Sequence, residues 1–201
     1  MESPENADRL AQVVHFLSRE LPILAVAHEV SGATIVPETL AGKAKEARLL
    51  VSRVDDVGLV AVARDAAALT RVSEVWASGK HEALWLAMGY PRCCALAQNN
   101  LGTLLPNASG ELSFPWQLNV FWPNLALLPF VPCTLRCGAA VRFANQLLPL
   151  IPEGIRSDLE TVLRAPVVFR RAGGEMEVSN PWFSDTFDSV GPNVEIRLIP
   201  E

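Results

Sequence analysis

From Cys93 to Leu135 the chain carries a single charged side chain, Glu111, and all four of its cysteines lie in that stretch or just after it. So long a run with so little charge is expected inside the protein. Residues 112–135 are wholly uncharged and long enough to cross a bilayer, but they contain Pro115, Pro123, Pro129 and Pro132 together with Gln117, Asn119 and Asn124. A spanning helix needs about 20 mostly apolar residues whose backbone groups are satisfied internally, and four prolines work against that. The expectation is no membrane span and a buried, irregular core segment.

The rest of the composition fits a folded chain. Of the 201 residues, 50% are hydrophobic and 19% charged, which permits a sizeable core and excludes global disorder. The net charge is −5 and no cluster of five or more Lys and Arg occurs, so the basic face of a nucleic-acid binder is missing. The first residues, Met1-Glu2-Ser3-Pro4-Glu5-Asn6, are acidic and polar and lack the basic start and apolar core of a secretory signal. The expected compartment is therefore the cytoplasm, where thiols stay reduced and clustered cysteines bind metal more often than they form disulfides.

Hydrophobic periodicity predicts an α+β fold. Residues 8–20 read as an amphipathic helix, with Leu10, Val13, Val14, Leu17 and Leu21 at helical spacing. Residues 23–30 and 33–36 read as β-branched strands around Ser31-Gly32, and 47–54 with 57–63 as a strand pair around Asp55-Asp56. Helices follow at 65–78, capped by Asp65, at 81–88, stopped by Gly89, and from Pro91 to about Asn99. Residues 101–132 read as irregular, 135–150 as a helix, and 157–164 as a helix capped by Ser157. Residues 167–171 and 175–178 flank Ala172-Gly173-Gly174, a hairpin signal, and 194–199 read as a last strand. The length suits one domain, 1–201. A weak boundary near Gly79 divides a mixed α/β portion, 1–78, from a mostly helical portion, 79–201, that carries the cysteines.

The cysteines form two clusters, each behind a proline: Pro91-Arg92-Cys93-Cys94 and Pro132-Cys133-Thr134-Leu135-Arg136-Cys137. Proline suits a helix start. Pro91 is thus expected to put Cys93 and Cys94 in a first helical turn, and Pro132 to put Cys133 at or near the next helix start. Cys137 then follows one turn later on the same face. Free amides and the positive dipole end at a helix start favour thiolate. Soft thiolates select zinc, copper(I) or iron–sulfur clusters. Cys133 and Cys137 have structural zinc spacing. Adjacent cysteines suit one small ion less well than a larger cluster with several metal corners. The first expectation is an iron–sulfur cluster (4Fe-4S) on Cys93, Cys94, Cys133 and Cys137, with zinc as the alternative. The remaining reading is four reduced cysteines packed as small hydrophobes, or a disulfide between the clusters.

Gly89-Tyr90-Pro91-Arg92-Cys93-Cys94 followed by the Pro132–Cys137 motif resembles an uncharacterised domain-of-unknown-function family with a GYPxCC … PCxxxC pattern, over roughly residues 83–150. The resemblance implies only that the cysteines act as a unit. In that family a histidine often precedes the second motif, where this chain has Phe130 and Val131, so any role of that histidine is absent or moved. A weaker likeness is to the cysteine-rich cluster domain of heterodisulfide reductases, which also uses adjacent cysteines. This chain lacks that domain's additional upstream cysteine and closes with CxxxC instead of CxxC.

Around the clusters, Arg92 and Arg136 are the flanking cations and Tyr90 is the lone tyrosine, so these three are the candidate groups for tuning the sulfurs or meeting a substrate. His81 could be a ligand or an acid–base group, though a helix-start surface position accounts for it; His15 and His28 have no partner pattern. Phe114, Trp116, Phe121, Trp122 and Phe130 could line an apolar pocket but fit a core equally well. Asp55 and Asp56, beside Val57-Gly58, read as a turn. No P-loop, dinucleotide fingerprint, nucleophile elbow or zinc-protease motif occurs. Asn107-Ala108-Ser109 matches a glycosylation acceptor without meaning in a cytoplasmic chain. Three functions fit: an iron–sulfur oxidoreductase or lyase acting on a small molecule or an electron-transfer partner, a zinc-stapled module that binds a protein, and a metal-free thiol redox protein.

Overall fold

The computed structural model describes residues 4–97, 104, 110–122, 124–172, 175–179 and 184–188. The fold is α+β. Its first half is a small antiparallel sheet between two helical layers. Strands β1 (Ala33–Pro37), β2 (Leu50–Arg53) and β3 (Leu59–Ala63) run in the order β1-β3-β2. The middle strand β3 is buried on both sides and its side chains alternate as the pleat requires. Val60 and Val62 face a core with Ile23, Val26, Val36, Leu40, Ala44 and Leu49. Ala61 and Ala63 face another with Ala33, Val72, Leu84 and Met88.

Helices cover both faces. Helix α1 (Pro4–Arg19) leads into α2 (Leu21–Ala27), and α3 (Ala41–Glu46) precedes β2. Helix α4 (Ala66–Ala77) starts where Asp65 accepts a hydrogen bond from the Ala68 N–H (2.8 Å), as its cap position predicts. Helix α5 (His81–Ala87) packs on α4, and α6 (Arg92–Ala97) follows it. The β2–β3 turn is closed by Asp55, whose carboxylate accepts the N–H groups of Val57 and Leu59 (both 3.1 Å). Asp55 is thus a turn residue.

The second half contains β4 (Gly110–Leu112), α7 (Gly138–Leu147), α8 (Glu153–Leu163), β5 (Val167–Ala172), β6 (Glu175–Ser179) and β7 (Ser184–Asp188). The four strands form an antiparallel sheet in the order β4-β5-β6-β7. Residues 112–122 and 124–132 are wound into the core with little regular structure: Leu118, Phe121 and Trp122 are fully buried and Trp116, Val120 and Phe130 nearly so. Buried Asn119 makes this tolerable by donating to the Leu163 carbonyl (3.1 Å) and accepting from the Phe121 N–H (3.4 Å). This largest core also takes Val13, Phe16 and Leu17 from α1 and Leu21 and Ala25 from α2, so residues on both sides of Gly79 build it. An Arg9–Asp158 ion pair ties α1 to α8. No single helix among the described residues is long and apolar enough to cross a membrane.

Three expectations need correction. Residues 23–30 do not make a strand; α2 occupies 21–27. This helix packs on two cores at once, Leu21 and Ala25 entering one and Ile23 and Val26 the other. It therefore has no polar stripe, and its unbroken apolar run imitates a buried strand. Residues 41–46, next to the expected strand 47–54, are helical, and β2 starts at Leu50. Ser157 lies inside α8, which begins at Glu153 behind Pro152. The strand expected at 194–199, the acceptor at Asn107, Asn99 at the expected end of α6 and the turn glycines Gly173 and Gly174 lie outside the described residues.

Candidate metal centre

Two stretches of chain are brought to one point by unrelated local devices. On the first side, α5 ends in a turn at Gly89, which has φ +86° and donates its N–H to the Leu86 carbonyl (3.0 Å). The turn is seated on the start of β1. The Gly32 N–H donates to the Met88 carbonyl (2.9 Å), and the buried Ser31 hydroxyl lies 2.8 Å from the same oxygen. Tyr90 packs its ring against Phe130 (centroids 4.8 Å apart) and edge-on to Phe143 (5.8 Å). The Pro91 carbonyl then accepts the N–H groups of Cys94 (2.9 Å) and Ala95 (3.0 Å), opening α6 with Cys93 and Cys94 in its first turn.

On the second side, Cys133 does not begin a helix. It lies in a turn in which the Thr134 carbonyl accepts from the Cys137 N–H (3.2 Å) and the Thr134 hydroxyl oxygen from the Arg136 N–H (3.3 Å). Thr134 favours this bonding over a helix at its own position. Helix α7 starts only at Gly138, with Cys137 as its cap: the Cys137 sulfur accepts the Ala140 N–H (3.5 Å), the place that Ser or Asp usually takes.

These devices converge. The sulfur of Cys137 lies 3.7 Å from those of Cys93 and Cys94, and the latter two are 3.9 Å apart. All four sulfurs lie within 4.8 Å of one another. The Cys133 N–H donates to the Cys94 sulfur (3.4 Å). No disulfide joins them. Four closely spaced cysteines make a site that could ligate a metal. The adjacency of Cys93 and Cys94 is no obstacle to one small ion, because the start of α6 turns both sulfurs toward Cys137.

The electrostatics differ from cysteine to cysteine. Burial pushes the Cys94 thiol far up, despite the Cys133 N–H. Burial, with Cys137 and Cys93 adding to it, pushes Cys133 up to about 11. Burial also opposes the Cys137 thiolate, but the Ala140 N–H and the three neighbouring thiols outweigh it and hold Cys137 below the ordinary thiol range. Among these three, the helix-start argument for a lowered pKa holds at Cys137 alone. Without metal, the folded state keeps the Cys94 and Cys133 protons longer than the unfolded chain, whose thiols titrate near about 8.5. A raised folded value gives stability that is present below about 8.5 and lost as pH rises toward 11. Cys137, shifted down, has the opposite sign and is outnumbered. The urea midpoint of chelated, reduced protein is therefore expected to be lower at pH 10.5 than at pH 8; an equal or higher midpoint contradicts this.

The other candidates fall into place around the sulfurs. Arg92 and Arg136 are exposed beside their cysteines and form no ion pair with another described residue. Tyr90 belongs to the aromatic packing that sets α6. His15, His28 and His81 are exposed, and none belongs to the four-sulfur group. Trp116, Phe121, Trp122 and Phe130 are core, with Phe114 half-buried against them. The sequence reading missed the contact of Ser31-Gly32 with the Gly89 turn; the GYP glycine was its one visible signal. No family model, curated protein or solved structure matches the chain, so the reading of the site rests on its own geometry.

Proposed function

We propose that Cys93, Cys94, Cys133 and Cys137 hold one zinc ion, and that the protein is a zinc-stapled binding module. The spacing of the sulfurs carries this reading. Tetrahedral zinc with Zn–S bonds of about 2.3 Å separates its sulfurs by about 3.8 Å; the sulfurs of Cys93, Cys94 and Cys137 stand 3.7, 3.7 and 3.9 Å apart, and that of Cys133 lies within 4.8 Å of each. A 4Fe-4S cluster gives each thiolate its own iron corner and so spreads the sulfurs wider than a single ion does. Four protein thiolates also leave no position open for water or substrate, the pattern of structural sites. The ion would fasten α6 to the turn before α7, and Arg92 and Arg136 would offset the net negative charge of a divalent ion in four thiolates.

Metal and sulfide analysis of anaerobically purified protein tests the assignment. One zinc per chain, no colour and no acid-labile sulfide are expected. Brown protein containing iron and sulfide would replace zinc with the cluster and restore the redox-enzyme reading. Metal-free protein whose thiols cycle to a disulfide would end the metal reading altogether.

A further inference from the structure

Away from the cysteines, a cavity of about 150 Å³ opens between α1, α2, the start of β1, Tyr90, residues 124–129 and α7. Leu17, Leu21, Ala25, Leu127, Phe143 and Leu147 give it apolar walls, and no charged side chain lines it. The cavity is open to solvent on one side, and its volume is enough for a molecule as large as benzene. Such a guest would remove the apolar walls from water. A charged guest would find no counter-charge and would lose its hydration.

The polar lining narrows the choice. Ser18 donates its hydroxyl to the Val14 carbonyl (2.7 Å), and Ser31 lies within reach of the Ala33 (2.7 Å) and Met88 (2.8 Å) carbonyls. Tyr90 differs: its ring is held by Phe130 and Phe143, while its hydroxyl makes no hydrogen bond with a described residue. Burial raises this phenol well above its ordinary value, so it keeps its proton. A fixed donor at an apolar wall is how small-molecule pockets set orientation. Thr34 and the exposed Asn124 are the other polar groups at the cavity.

We propose that this cavity binds a neutral, one-ring molecule bearing a carbonyl, with the Tyr90 hydroxyl donating to the carbonyl oxygen. Ligand and metal meet in one short segment, since Tyr90 stands three residues before Cys93. The site is nevertheless independent of which metal the cysteines hold.

Cyclohexanone and methylcyclohexane, alike in size, are the probes, titrated into the protein as purified and followed by amide and methyl NMR. Both should shift resonances of Leu127, Phe143 and Leu147. Tyr90→Phe should weaken cyclohexanone about two- to tenfold, the worth of one neutral hydrogen bond, and leave methylcyclohexane unchanged. Ala25→Leu, or Ala126→Leu should the former overpack, fills the space and should abolish both. Unmoved cavity resonances at saturating cyclohexanone, or wild-type binding in a folded filled variant, overturn the site. An unchanged cyclohexanone affinity in Tyr90→Phe overturns the role of the phenol. Zinc is quantified in every sample, so failure of the metal reading shows separately.

Discussion

If the four cysteines share the proposed zinc ion, Cys93→Ala will release it and destabilise the protein by about 3 kcal/mol or more, although Cys93 is the most exposed of the four cysteines. An exposed thiol with no other role is worth little: surface truncations usually fall within about 0.5 kcal/mol of zero. Zinc bound by four thiolates contributes about 10–16 kcal/mol of apparent free energy in small zinc domains, and that binding energy is folding energy. A quarter of it already exceeds what packing could assign to an exposed side chain. Cys94, with 0% exposure, supplies the comparison. If the thiols are only packed, Cys94→Ala costs something and Cys93→Ala next to nothing. If they share an ion, both cost similar, large amounts and both lose zinc. A Cys93→Ala, Cys133→Ala double variant then costs little more than either single change, because the first has already dissolved the site. Urea midpoints with zinc counted by mass spectrometry decide it. A Cys93→Ala protein with full zinc content and unchanged midpoint rules out the shared ion.

Residue chemistry that acts through type and spacing was legible before the fold was known. Four thiols on two proline-led motifs in an almost uncharged stretch point to a common soft-metal site, and the sulfurs do meet. What the spacing could not reveal was how tightly they meet. That depends on the Gly89 turn resting on Gly32, which is a contact across more than fifty residues. It also depends on Cys137 acting as a helix cap, a role seldom expected of cysteine. The difference matters because the proposed zinc assignment rests on that spacing. The same division runs through the fold. Asp65 caps α4 and Asp55 closes its turn because short side chains bond the nearest backbone, a local matter. Helix α2 misleads because its neighbours on both sides are apolar, so tertiary packing removes the polar face by which a helix is recognised.

Gly89→Ala is expected to cost about 3 kcal/mol and to weaken metal binding as well. Any residue with a Cβ loses about 1–2 kcal/mol in the left-handed conformation, and Gly89 has φ +86°. Here a second cost adds to the first. A Cβ would stand 3.0 Å from the backbone nitrogen of Gly32, which cannot swing aside as the tip of a side chain can. Relief requires the Gly89 turn to lift from the start of β1, loosening the Gly32–Met88 hydrogen bond and moving Tyr90 and the first turn of α6 with it. Gly79 is the control: its φ is +67°, but an added Cβ meets nothing within 4 Å. Gly79→Ala should therefore cost only the conformational part and keep its zinc affinity. The gap between the two variants, read from urea midpoints and from competition with a chelator, measures the support that β1 gives the metal site. Equal stability losses and equal zinc affinities would mean that the sulfurs are positioned without that support.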